Sequence, residues 1–178
     1  FLLGCTSTQV SRVQSNSTIN LTGKWNDTDS RLVAEEMIRD CLSQRWLFKW
    51  EEKNQRPTVI IGKVVNKSHE HISVETFTKD MERALLNSGK VDFVASKSER
   101  EQLRDERMDQ EENASVRTAK PMGEELGADL MLIGTLNTIV DQEGGTAVVF
   151  YQTNLELVEL ETNRKVWIGE KKIKKFVE

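Results

Sequence analysis

ADLMLIGTLNTIVDQEGGTAVVFYQTNLELVELETNRKVWIGEKKIKKFV, residues 128–177, decides the fold class. Three runs rich in apolar and β-branched residues, 128–140, 147–160 and 165–176, are parted by two clusters of turn residues, Gln142-Glu143-Gly144-Gly145 and Glu161-Thr162-Asn163-Arg164. β-Branched side chains suit a pleated, half-buried surface, while Gly and Asn tolerate the left-handed backbone that tight turns need. The stretch therefore reads as an antiparallel meander of three strands. Its end, Lys171-Lys172-Ile173-Lys174-Lys175, is basic. That suits an edge strand whose charges discourage pairing with another sheet. It also suits a contact to an acidic partner or polymer.

Working back from the meander, residues 58–65 (TVIIGKVV) form a buried strand. Ser73 can cap a helix whose Val74, Phe77, Met81, Ala84, Leu85 and Ser88 share one face, ended by Gly89. Residues 91–95 are a second short strand, which completes a strand–helix–strand unit. Further back, the capping cluster Asn26-Asp27-Thr28-Asp29 starts a helix with the stripe Leu32, Val33, Met37, Cys41 and Leu42. Between these units, residues 99–112 are almost wholly charged. Ser98 and Glu101 have capping-box spacing, and Glu101 can pair with Arg104. A solvated helix running into a mobile loop is expected. A second helix is expected over 115–126, ended by Gly127, with Pro121 at a break or in its first turn. The fold class is α/β: a mixed β-sheet packed with helices and closed by the C-terminal meander. Residues 21–178 form one globular binding domain.

The chain has 178 residues and a formal net charge of −4, so it carries no overall basic footprint for nucleic acid. No apolar run is long enough to span a bilayer as a helix. The sequence begins Phe1-Leu2-Leu3-Gly4-Cys5-Thr6, an apolar start followed at once by a polar tract. Residues 1–4 read as the tail of a secretory signal, and Leu2-Leu3-Gly4-Cys5 resembles a bacterial lipobox. In that scheme the Cys5 thiol takes a diacylglyceryl group, cleavage follows Gly4, and the new amine is acylated. Two or more acyl chains give stable anchoring at about 0.8 kcal/mol per buried CH₂. No other cofactor is expected. Thr6, in place of Asp, resembles an outer-membrane address. Residues 5–20 are the lipidated Cys and a flexible tether of Ser, Thr, Asn and Gln.

No catalytic constellation emerges. Two cysteines, Cys5 and Cys41, make no disulfide framework, and Cys41 falls on an apolar helix face. His69-Glu70-His71 lacks a third ligand for a metal and reads as a solvated loop. No Ser sits in a nucleophile elbow, and no Gly-rich loop opens a helix. The carboxylates lie on solvated helix faces rather than in apolar runs. The chain is therefore read as a binding module and not an enzyme. Its candidate partner-binding residues are Trp46, Phe48 and Trp50 in RWLFKW, residues 45–50, because Trp is favoured in hot spots. The competing expectation is that two of these three rings cover the sheet edge as part of the core.

GKWNDTDSRLVAEEMI (23–38), FTKDMERALLNSGKVDFVAS (77–96), ELGADLMLIGTLNTIVD (125–141) and VFYQTNLELVELETNRKVWIG (149–169) resemble the LpoB family of lipoproteins. The resemblance implies a domain similar to the N-terminal domain of TolB. It implies an outer-membrane lipoprotein, facing the periplasm, that activates a class A penicillin-binding protein and so serves cell-wall synthesis. The family's best-studied members carry a long Pro- and Gln-rich tether. Here residues 6–22 extend to at most about 60 Å, and average about 20–25 Å as a coil. That shortness keeps open a structural or secretion-accessory role, related to the curli-secretion lipoproteins.

Overall fold

The computed structural model describes residues 10–15, 17–19, 21–114 and 125–178. The expected lipobox at Cys5 and most of the expected helix over 115–126 lie outside the described residues. Of that helix, only Glu125 and Leu126 are described, and they are not helical.

Local chemistry sets the start of the long helices, each of which has a side-chain cap. Helix α1 (Asp27–Leu42) opens with a capping box: the Asn26 side chain accepts from the Asp29 N–H, and the Asp29 carboxylate accepts from the Asn26 N–H. Two orphan donors are thereby satisfied. The buried face of α1 is Val33, Ala34, Met37, Ile38, Cys41 and Leu42. Leu32, expected in the stripe, is 48% exposed, and Ala34 and Ile38 take its place. A period of 3.6 puts residues 34 and 38 under residue 41 and turns 32 outward. A 3₁₀ turn (Arg45–Leu47) and the one-turn helix α2 (Phe48–Glu51) follow.

Strand β1 (Thr58–Asn66) leads into helix α3 (Val74–Asn87), which Ser73 caps and which buries Phe77, Met81 and Leu85. Strand β2 is only Asp92–Phe93. Helix α4 (Lys97–Asn113) starts two residues earlier than the expected cap at Ser98 implies. Its capping box is Ser96 with Glu99, not Ser98 with Glu101. The N-terminal hydroxyl that leaves an extended backbone behind it wins, and that is Ser96. No residue of α4 is buried. Glu101 approaches Lys97 rather than Arg104, and Arg104 instead makes two 2.7 Å hydrogen bonds to Glu125.

Strands β3 (Leu130–Glu143), β4 (Thr146–Glu159) and β5 (Lys165–Val177) form the expected meander. Gly144 and Gly145, both at positive φ, make the two-residue turn that joins β3 to β4. Such a turn matches the strand twist and requires φ > 0 at both positions. The five-stranded sheet has the order β2-β1-β3-β4-β5. β1 is parallel to β2 and β3, and the last three strands are antiparallel. The sheet is mixed, as its sequence implied.

One face of the sheet takes both core helices. Val59, Leu130, Leu132, Leu155, Leu157 and Trp167 meet the buried faces of α1 and α3. A smaller cluster of Ile72, Leu136, Val149 and Tyr151 continues the core, with Trp25 packed against it. Helix α1 runs along β5, fastened by Lys175 to Asp29, Lys171 to Glu36 and the Trp167 indole N–H to Asp40. The basic run of β5 is thus on an edge strand, and three of its lysines, Lys171, Lys172 and Lys175, are already paired within the domain.

Candidate functional site

The RWLFKW segment sits at the end of the sheet where β4 finishes and β1, β3 and β5 begin. Lys49 Nζ reaches Glu159 Oε1 at 2.6 Å, which ties α2 to the last residue of β4. The three aromatic rings have different fates. Trp46 is buried, its indole N–H donating to the Cys41 carbonyl at 2.7 Å. Trp50 is half-buried against the core, with Lys49 Nζ 5.4 Å from its ring centre. Its indole N–H is buried and has no acceptor among the described residues. Phe48 is 52% exposed. Two of the three rings therefore serve the core, and Phe48 alone is presented to solvent.

Beside Trp50 lies a polar cavity of about 280 Å³ lined by Lys49, Lys53, Ala128, Asp129, Glu159 and Glu161. Two of its three carboxylates, Asp129 and Glu159, are already engaged. Asp129 accepts from the Thr58 backbone N–H at 2.7 Å. Glu159 is held down near 2, first by its hydrogen bond to Lys49 and then by that from Thr162. A carboxylate so stabilised as an anion is a structural tie and a poor proton donor. The corner can hold polar and charged groups of a partner, but it offers no nucleophile paired with a base.

Both histidines of the loop are exposed, as expected of a solvated loop, with His69 Nδ1 2.7 Å from Thr138 Oγ1. Between them Glu70 turns inward. One carboxylate oxygen accepts from Tyr151 Oη at 2.5 Å and the other from the Trp25 backbone N–H at 3.0 Å. Burial, then the Glu70 hydrogen bond, pushes the Tyr151 phenol well above its ordinary range. Among the described residues, no three His, Cys, Asp or Glu side chains are grouped to hold a metal. Sequence inspection missed Glu70 and Tyr151. A Glu flanked by two His draws attention to the histidines, and the Tyr is 81 positions away.

Cys41 is a buried free thiol, pushed up to about 12 mainly by burial and then by Asp40. It is a core residue rather than a reactive one. No helix among the described residues is long and apolar enough to cross a membrane.

Comparison with known proteins places these features in a family. A family model described as peptidoglycan-synthase activator LpoB matches residues 29–173. No curated protein sequence matches the chain. Among solved structures, the LpoB C-terminal domain from Escherichia coli is 14% identical, with a TM-score of 0.50, over 83% of this chain and 99% of that one. The corresponding domain from Salmonella enterica is also 14% identical, with a TM-score of 0.48 and the same coverage. Lipoprotein GNA1162 from Neisseria meningitidis is 13% identical, with a TM-score of 0.42, over 67% of this chain and 83% of that one. At these identities the likeness to the Escherichia coli domain is one of fold.

Proposed function

The chain belongs to the LpoB family of peptidoglycan-synthase activators, and from that premise we propose that it is an outer-membrane lipoprotein, facing the periplasm, that binds and activates a class A penicillin-binding protein. The family match over residues 29–173 carries this reading. The protein makes and breaks no bond itself. It acts by binding the active state of the synthase more tightly than the resting one, which is the only way a ligand shifts a conformational equilibrium. A tenfold shift needs about 1.4 kcal/mol of differential binding, well within reach of a small interface. Acyl chains on Cys5 hold the domain at its membrane, and residues 6–22 are the leash.

The test is reconstitution. The full chain, added to a purified class A penicillin-binding protein of the same organism, raises the rate of glycan polymerisation. Absence of both binding and stimulation by a folded chain refutes the reading. Intact-mass analysis of material from the native host checks the anchor: an unmodified Cys5 removes it. The short leash favours a second reading, an assembly close to the membrane with a structural or secretion-accessory role. A stable homo-oligomer, or an outer-membrane complex with no synthase in it, is the result that would select it.

A further inference from the structure

The two edges of the sheet differ. β5 is a full-length edge strand whose exposed side chains include Lys165, Lys172 and Lys174, charges that oppose pairing with another strand. The opposite edge is stepped. β2 covers β1 only at Thr58 and Val59, and the last bond of that ladder runs from the Val94 N–H to the Val59 carbonyl at 3.1 Å. Two residues on, the Ser96 N–H would be the next donor, and the Ile61 carbonyl its acceptor. The Ser96 N–H instead bonds the Glu99 carboxylate at 2.8 Å, as part of the capping box of α4. Alternate residues of a strand turn their backbone groups to the same side, so Ile61 presents its N–H and C=O where Val59 does. Neither has a backbone partner on that side among the described residues.

This bare backbone lies in a cleft of about 390 Å³ between α3 and α4. Ile61, Gly62, Phe93 and Val94 make its floor apolar. Its charged groups are three carboxylates, Glu75, Glu82 and Glu99, against the one ammonium of Lys79, so the cleft is negative. Lys79 Nζ is already committed to Glu82 at 2.7 Å and Glu99 at 2.8 Å. Glu75 is exposed and its carboxylate has no partner among the described residues. Lys63, the next cation along β1, is exposed and stands outside the lining. The open stretch is also short. β2 closes it at Val59, and a register shift between Ile61 and Val64 bends β1 away beyond it. A long rigid edge such as β5 of a second copy does not fit such a gap, whereas about four residues of extended chain, roughly 13 Å, do.

We propose that the cleft between α3 and α4 binds a short extended segment of a partner protein, which pairs its backbone with Ile61 and sets a lysine or arginine against Glu75. Pairing to a free strand edge supplies affinity for any extended chain, and the pockets beside it supply the choice of sequence. Here the apolar floor takes the side chain that points down, and the carboxylates of the rim favour a basic neighbour over an acidic one.

The experiment titrates the full chain, in about 0.15 M salt to screen loose charge attraction, with a capped hexapeptide of alternating lysine and valine. Binding is followed by amide resonances and by amide exchange. Saturable binding is expected, with exchange at Ile61 slowed at least fivefold. A peptide with glutamate in place of lysine is expected to bind at least tenfold more weakly. One N-methylated at every residue, which has no N–H to give, is expected not to bind. Glu75→Gln, at an exposed position, should weaken the lysine peptide about threefold, whereas Asp141→Asn in β3, outside the cleft, leaves it unchanged. Equal binding of the glutamate or the N-methylated peptide overturns the proposal. So does binding that leaves exchange at Ile61 untouched, and so does the absence of binding at millimolar peptide.

Discussion

Helices α1 and α4 open with the same device and come to opposite ends. Each has a capping box, Asn26 with Asp29 in α1 and Ser96 with Glu99 in α4, and the two are nearly equal in length. α1 then buries six apolar side chains against β5 and α3, while α4 buries none. A cap fixes where a helix begins and contributes about 1 kcal/mol. Apolar burial, at roughly 25 cal/mol per Å², decides whether the helix holds the domain together. α4 is held instead by ion pairs in its first turn and at its middle. Lys79 of α3 bonds Glu99 at 2.8 Å, and Arg104 bonds Glu125. Exposed pairs of this kind contribute about 0–1 kcal/mol each.

Substitutions should separate the two helices cleanly. Met37→Ala removes a side chain 3% exposed in the middle of α1 and is expected to destabilise the domain by about 2–5 kcal/mol in denaturant titration. A loss below 1 kcal/mol would mean that α1 is not part of the cooperative core. Tyr151→Phe, at the joint of the N-terminal arm, removes the donor to Glu70 and leaves a half-buried carboxylate short of a partner. A cost of about 1–3 kcal/mol is expected, with faster amide exchange confined to residues near Trp25. Asn26→Ala should cost about 1 kcal/mol, because the cap of a buried helix is coupled to global unfolding. Ser96→Ala should barely move the global midpoint and should show only as faster exchange in the first turn of α4.

The smallest expected effect depends on pH. The Glu99 carboxyl is lowered to about 2, first by its hydrogen bond to Lys79 and then by those from Ser96. Its folded value lies below that of the unfolded chain, so its contribution is present above about pH 4 and is lost as pH falls toward 2. Amide exchange at the start of α4 should therefore accelerate over that window while α1 stays protected. Glu99→Gln should abolish the pH dependence. A pH-independent α4 in the unsubstituted protein would show that the Lys79–Glu99 tie does not hold the helix. Met108→Ala, on the exposed face of α4, should change stability by no more than about 0.5 kcal/mol.

The same contrast explains which features could be read in advance. The cap of α1, the cap of α3 and the meander rest on neighbours within a few residues, and local chemistry announces them. In α1 the start was legible, yet Leu32 turns out exposed and Ile38 buried. The pattern supplies a stripe, but its exact edges depend on where α3 and β5 press. In RWLFKW the aromatic density was plain, and that two rings would join the core was a fair expectation. Which ring faces out followed only from the 3₁₀ turn and the Lys49–Glu159 tie across 110 positions. The anchor at Cys5 is a matter of sequence alone and falls outside the described residues.

The sequence by itself determined the class of fold, the antiparallel order of the last three strands and the resemblance to a family of synthase activators. Periodicity, caps and two glycines at a turn are short-range physics, complete within a dozen residues. Only the tertiary structure decided that Glu70 and Tyr151 pin the N-terminal arm at one end of the sheet and that Phe48 stands at the other. Those facts belong to pairings across 80 to 150 positions, where hydrogen-bond geometry and packing select partners that sequence spacing does not encode.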